Sequence, residues 1–175
     1  MKNFRLFSIL LISLSSFSAY ALNYYNQTSD TKQDPVRKCP NQPDGSYTGD
    51  LNEKGEFDGK GTYVWLNGDK YEGEWKNNMM NGKGVFHWND GNTYDGMWLD
   101  SRMQGKGIFT WNDGNKYDGE WINSQRSGIG TFYWTNGDIY EGEWKNNKMH
   151  GKGTFYWSDG ATQEGEWKEG VLISL

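Results

Sequence analysis

Cysteine, histidine, proline and aliphatic carbon are all scarce in this chain of 175 residues. A single Cys39 excludes an intramolecular disulfide, and two histidines leave no Cys/His set able to hold structural zinc. The three prolines, Pro35, Pro40 and Pro43, all precede residue 44, so proline interrupts no strand ladder beyond that point. Lys and Arg number 18 against 23 Asp and Glu, a balance that argues against a nucleic-acid partner. Only 34% of residues are hydrophobic, and mean hydropathy is −0.95. What is abundant is glycine, 24 residues, together with 10 Trp, 11 Tyr and 8 Phe. Aromatic rings rather than aliphatic side chains must therefore build the core.

The first 21 residues read differently from the rest. Lys2 and Arg5 precede the apolar run Leu6 to Leu14, which leads to Ala19-Tyr20-Ala21, the pattern of a cleavable secretory signal over residues 1–21. The alternative, a membrane anchor, needs ~20 apolar residues, about twice what this run supplies. No later segment reads as transmembrane, so none is expected after signal cleavage. Loss of Lys2 and Arg5 from the 18 basic residues leaves 16 against 23 acidic ones, a formal charge of −7 that disfavours purely electrostatic docking on anionic lipid. Residues 22–46 are polar, hold all the prolines and lack apolar periodicity, as expected of a flexible linker.

Internal repetition dominates the rest of the chain. Trp65, Trp88, Trp111, Trp134 and Trp157 recur every 23 residues, as do Trp75, Trp98, Trp121, Trp144 and Trp167. Tyr71, Tyr94, Tyr117 and Tyr140 keep the same step, with Tyr47 displaced by one inserted residue, and so do Phe86, Phe109, Phe132 and Phe155. Within a unit, Tyr71-Glu72-Gly73-Glu74-Trp75 alternates with period two, and after a turn over Asn77–Asn81 the run Gly82 to Trp88 alternates again. Each unit thus predicts two antiparallel strands. Tyr71, Gly73, Trp75, Gly82, Gly84, Phe86 and Trp88 fall on one face and Glu72, Glu74, Lys83 and His87 on the other. Glycine recurring inside strands predicts a ring or backbone packed closely against it. Asn89-Asp90-Gly91 and Asn112-Asp113-Gly114 supply tight turns between units. About eleven strands spaced ~4.8 Å apart predict an elongated, twisted ribbon roughly 50 Å long.

The run Tyr71-Glu-Gly-Glu-Trp-Lys-Asn, followed by Gly82-Lys-Gly and an aromatic strand, resembles the MORN repeat (membrane occupation and recognition nexus). The resemblance covers units near 47–70, 71–93, 94–116, 117–139 and 140–162, with a partial unit at 163–170, so that 47–170 forms one repeat domain. Leu51 in place of Trp, Met97 in place of the acid, Ile129 in place of Lys and Gln163 in place of Tyr depart from the pattern. What it implies is an all-β fold, a single antiparallel sheet of tandem hairpins stacked in a solenoid-like array. It also implies binding of proteins or phospholipids, self-association or scaffolding; it does not imply catalysis, and no cofactor is expected.

The residues agree with a non-enzymatic reading. His87 and His150 occupy different places in their units and share no site with a nucleophile. The carboxylates Glu72, Glu74, Glu141, Glu143, Glu164 and Glu166 recur with the repeat beside Lys83, Lys106 and Lys152, which points to cross-strand pairing on an exposed face. No metal site is read: Asn89-Asp90-Gly91-Asn92 lacks the carboxylate density of a calcium loop.

Two kinds of binding remain. Met97, Leu99, Ile122 and Ile129 replace charged residues of other units near the middle of the sheet, which marks a candidate interface for a protein partner or a homodimer, against the plainer reading of packing beneath a loop or tail. Alternatively a phospholipid headgroup or a cell-envelope glycan lies along the aromatic rows. Val171 to Leu175, at 171–175, reads as a strand that caps the open edge or, in the alternative, pairs with a second copy. The expectation is an exported, periplasmic or extracellular binding module.

Overall fold

A computed structural model describes residues 45–175; the signal and nearly all of the linker expected from the sequence lie outside the described residues. The chain forms one sheet in which sequence order is spatial order. Its twelve strands are β1 (Gly45–Leu51), β2 (Phe57–Trp65), β3 (Lys70–Lys76), β4 (Met79–His87), β5 (Thr93–Leu99) and β6 (Arg102–Thr110), then β7 (Lys116–Ile122), β8 (Gln125–Tyr133), β9 (Ile139–Lys145), β10 (Lys148–Tyr156), β11 (Thr162–Lys168) and β12 (Val171–Ser174). Neighbours pair antiparallel throughout and the sheet does not close. The count is twelve rather than about eleven because Val171–Ser174 pairs with β11. Gly45 and Ser46, assigned to the linker from composition, open β1 opposite Trp65 and Val64.

Two kinds of turn connect the strands. Between units, the Trp88 N–H donates to the carbonyl of Asn92 and the Gly91 N–H to that of Trp88, closing a loop in which Gly91 takes φ 93°. Only glycine adopts that value without strain, which explains the N-D-G signature. Within a unit the turn is shorter than the expected Asn77–Asn81. Asn77 and Asn78 alone form it, at φ 48° and 65°, and Met79 and Met80 already belong to β4. Strand twist is the physical reason. A two-residue turn with positive φ at both positions carries the strands' own twist, and asparagine tolerates the left-handed region. The two residues that remain are absorbed by a bulge: Gly73 faces Gly84, whereas Trp75 faces Met80. Gly82, at φ 69°, sits in that bulge.

The core is a single aromatic layer lying on one face of the sheet. Tyr71, Tyr94, Tyr117 and Tyr140 are fully buried although among the described residues no second sheet covers them. Glycine pairs make this possible. A Cβ at Gly84 would collide with the Tyr71 ring and hydroxyl, and the same holds at Gly107, Gly130 and Gly153 for the tyrosines of the following units. Each tyrosine therefore lies flat along its strand, with its hydroxyl donating to a backbone carbonyl such as Glu74 O at 2.9 Å. Tryptophans then stand edge-on over it: Trp75 at 5.0 Å and 88°, Trp98 at 5.6 Å and 86°. Such perpendicular pairs add ~0.5–1.5 kcal/mol each beyond area burial.

Candidate binding surfaces

The two tryptophan combs expected from the sequence share a face but not an environment. Trp75, Trp98, Trp121, Trp144 and Trp167 are buried, and each indole N–H donates across the sheet to a glycine carbonyl, as Trp75 does to Gly61 O at 3.1 Å. Trp65, Trp88, Trp111 and Trp157 are half-buried, and Trp134 is buried. This second comb interleaves with the phenylalanines in one continuous stack. Trp88 lies 4.4 Å from Phe86 and 5.2 Å from Phe109, Trp111 lies 4.6 Å from Phe109 and 5.2 Å from Phe132, and the series continues to Trp157. Both faces of each inner indole are thus covered, and what reaches solvent is the ring edge. This bears against the glycan alternative, because a sugar stacks on an open ring face rather than on an edge.

A methionine lies beside the buried comb in three of the units: Met80, Met103 and Met149. The fourth unit has Arg126 there, buried with its guanidinium 4.8 Å from the Trp144 ring and 5.2 Å from that of Phe132, and donating to Asn147 O at 3.0 Å. Sequence reading passed over these four positions because it placed the methionines in the turn. The two-step offset from Gly82 to Met80, repeated in every unit, was the available signal. Burial drives the hydroxyl pKa of Tyr71, Tyr94, Tyr117 and Tyr140 well above the usual tyrosine range, and Arg126 pulls that of Tyr117 partly back.

The opposite face is polar, and among the described residues nothing covers it. Glu72, Glu74, Lys83 and His87 are exposed there, as alternation predicts. The expected Glu–Lys pairing takes a different form. The Glu74 carboxylate accepts from the backbone N–H of Lys83 at 3.3 Å, and Glu143 accepts from that of Lys152 at 2.9 Å. The bulge turns those amides out of the ladder, so the acid serves an orphan backbone donor before it serves an ammonium. Side-chain pairs form elsewhere, Lys70 with Glu72 at 2.8 Å and Lys148 with Glu169 at 2.5 Å, the latter holding the exposed Glu169 carboxyl below its ordinary range.

The candidate interface residues all lie on this face: Met97 is 43% exposed, Leu99 50%, Ile122 51% and Ile129 60%. They are not one continuous island. Met97 faces Lys83, Ile129 faces Glu143, and between them run β6 and β7 with the pair Lys106–Glu120. Ile108, 38% exposed on β6, adds a fifth apolar side chain within the same span.

Five consecutive segments, residues 47–70, 71–93, 94–116, 117–139 and 140–162, match the MORN repeat. The chain belongs to the MORN repeat family. The observed units coincide with these segments, each MORN repeat contributing one hairpin. MORN repeats are binding modules for proteins or lipids, so this chain is a repeat protein of the binding kind. A search among curated proteins finds no match. Among solved structures, the chain is similar to the TCP domain of SAS-4 (dCPAP) of Drosophila melanogaster, determined in complex with a proline-rich motif of Ana2 (dSTIL). Identity is 13%, the match covers 66% of this chain and 64% of that one, and the TM-score is 0.41. Among the described residues of the MORN domain no helix is long and apolar enough to cross a membrane.

Proposed function

We propose that this MORN protein is exported and acts without catalysis as a scaffold that binds a protein partner through the polar face of its sheet at β5 to β8. The observation that carries the reading is the exposure of Met97, Leu99, Ile122 and Ile129 at positions where flanking units present Glu or Lys. A charged-to-apolar exchange on an open strand face brings no gain in core burial. It lowers solubility, and a contact with another molecule offsets that loss. The sequence of residues 1–21 supports export, and the use of Glu74 and Glu143 in backbone capping supports a non-enzymatic role.

Photo-crosslinking from Leu99 in cells, followed by mass spectrometry, tests the reading. The expected result is a discrete adduct with one protein, abolished by the double substitution L99K/I122K while the melting temperature stays within a few degrees. Failure to form an adduct from a folded, exported chain overturns it. A second reading, a phospholipid surface meeting the aromatic face, draws support from the half-buried tryptophans Trp65, Trp88 and Trp111, since a partly exposed indole suits a lipid interface. Vesicle co-sedimentation over a salt series separates the two.

A further inference from the structure

One row of side chains crosses the polar face from β2 to β11, at the place that most hairpins give to Lys or Glu. Strand register sets Lys60 against Glu74, Lys106 against Glu120 and Lys152 against Glu166. Two pairs break the series: Lys83 faces Met97, and Ile129 faces Glu143. The first pair lacks its acid and the second its base. Taken strand by strand, the row runs plus, minus, plus, Met97, plus, minus, Ile129, minus, plus, minus. Glu120 is half-buried and the others are exposed. The ion pairs Lys70–Glu72 and Lys148–Glu169 lie outside this row, which leaves its charges open to another molecule.

Reversed, the row is complementary to itself. A two-fold axis parallel to the strands lays a second copy on this face with its strand order inverted. With the axis between β6 and β7, β2 meets β11, β3 meets β10, β4 meets β9 and β5 meets β8. Every Lys of the row then meets a Glu, and Met97 meets Ile129. Lys83 and Glu143, which face apolar residues in their own sheet, meet each other. An axis between any other two strands parts Met97 from Ile129, and an axis on a strand sets like charge against like. An axis across the strands opposes each strand to itself and brings acid against acid on β3, β9 and β11, where Glu72 and Glu74, Glu141 and Glu143, and Glu164 and Glu166 share this face. The inner strands β4 to β9 span roughly 29 Å by 23 Å from strand spacing and rise, the footprint of a standard-size interface. Leu99 lies two residues beyond Met97 on β5, and Ile122 two beyond Glu120 on β7, so both border the contact.

We propose that the partner on this face is a second copy of the chain, stacked face to face about a two-fold axis between β6 and β7, with Met97 on Ile129, Lys83 on Glu143 and Lys106 on Glu120. The inference rests on the proposed use of the polar face for binding a protein and names the occupant. Sheets with a common hand of twist stack in this way about 10 Å apart, their side chains filling the gap. The two Met97–Ile129 contacts supply the apolar part, one on each side of the axis. The charged pairs fix the register and reject partners that cannot match them.

Sedimentation equilibrium of the purified protein and of two charge reversals, K83E and E143K, provides the test. Both replace exposed residues that face apolar ones in their own sheet, so neither breaks a cross-strand ion pair there. The native chain should be dimeric. Each variant alone sets like charges together twice per dimer and should associate at least about tenfold more weakly. Mixed one to one, the variants restore both pairs, and a heterodimer of near-native affinity is expected. Near-ultraviolet circular dichroism checks that each keeps its fold, since E143K gives up the cap on the Lys152 N–H. Should either unfold, a photo-reactive residue at position 97 of the otherwise native chain replaces the pair, its adduct on a second copy mapping to β8 at Ile129. A monomeric native chain, a dimer that both variants leave unchanged, as edge pairing through β12 would be, a mixture no tighter than its components, or an adduct on another strand overturns the inference. In those cases a Leu99 adduct with a different protein still upholds the partner-binding reading, whereas no Leu99 adduct with any protein, a second copy included, overturns that reading as well.

Discussion

The two tryptophan combs have the same residue type, the same period and the same face, and yet one is buried in every unit and the other is half-buried in all but the fourth, where Trp134 is buried. The difference lies in position along the strand. Trp75 and its repeats sit at the bulged end of each hairpin, where the neighbouring tyrosine and methionine close over them and a glycine carbonyl takes the indole proton. Trp88 and its repeats follow the last strand residue before a glycine loop, and all of them except the buried Trp134 are half-buried. A repeat can therefore hold its fold with one comb while varying what it does with the other.

The comparison can be broken at several points. The largest effect is expected from alkali, which acts on all four core tyrosines together. Their folded pKa values are raised above the unfolded value near 10, so the stability they contribute is intact below pH ~10 and is lost as pH rises beyond it. Tyrosinate absorbance from these residues should appear only in step with loss of near-ultraviolet circular dichroism.

Next is Trp121→Ala against Trp111→Ala. The first removes a buried, hydrogen-bonded ring and should cost ~3–5 kcal/mol, and the second, at a half-buried edge, about half as much by urea denaturation. Equal costs would erase the distinction between the combs. Gly107→Ala should cost ~1–3 kcal/mol, because the new Cβ meets the Tyr94 ring that lies flat on that glycine. Thermal melts of this variant beside Gly105→Ala, where the nearest side-chain atom is 3.6 Å away but φ is 66°, separate collision from backbone strain.

The smallest effect concerns the seams between hairpins. Ser124 Oγ accepts the Met103 N–H at 3.2 Å while its own N–H donates to Met103 O at 2.9 Å, and Asn78, Ser101 and Asn147 repeat the device. Ser124→Ala should cost about 1 kcal/mol. The repeat at Gly170 has no side chain to accept, and its variant Gly170→Asn, which supplies the acceptor found at Asn147, tests whether the seam ends there for lack of one.

Much of this was open to a reader of the sequence. Period-two alternation in Tyr71–Trp75 and Gly82–Trp88 defined strands and faces, and the 23-residue step defined the units. The glycine at position 84 announced that a ring lies on it. The turn was misjudged because Asn77 to Asn81 all look like turn formers or flexible side chains, and only the pairing of Trp75 with Met80 shows where the strand resumes. Arg126 in an aromatic cage was not legible for the same reason. The four apolar residues at positions 97, 99, 122 and 129 were found by comparing units, but their separation by Lys106 and Glu120 depends on strand register.

The loop seam shows where local sequence ends and tertiary contact begins. Asp69, Asn92, Asn115 and Asp138 each accept the backbone N–H of the first loop residue of the next unit at 2.8–3.0 Å, and the matching residue of the fifth unit is Ala161. The sequence shows an acid, an amide or an alanine at that place without saying why. By itself it determined the fold, since periodicity, glycine placement and turn chemistry are local and act through the chain's own geometry. Tertiary structure decided register, which rings keep an open edge and which carboxylates cap amides. Those depend on what the next hairpin, 23 residues away, brings into hydrogen-bonding and van der Waals reach.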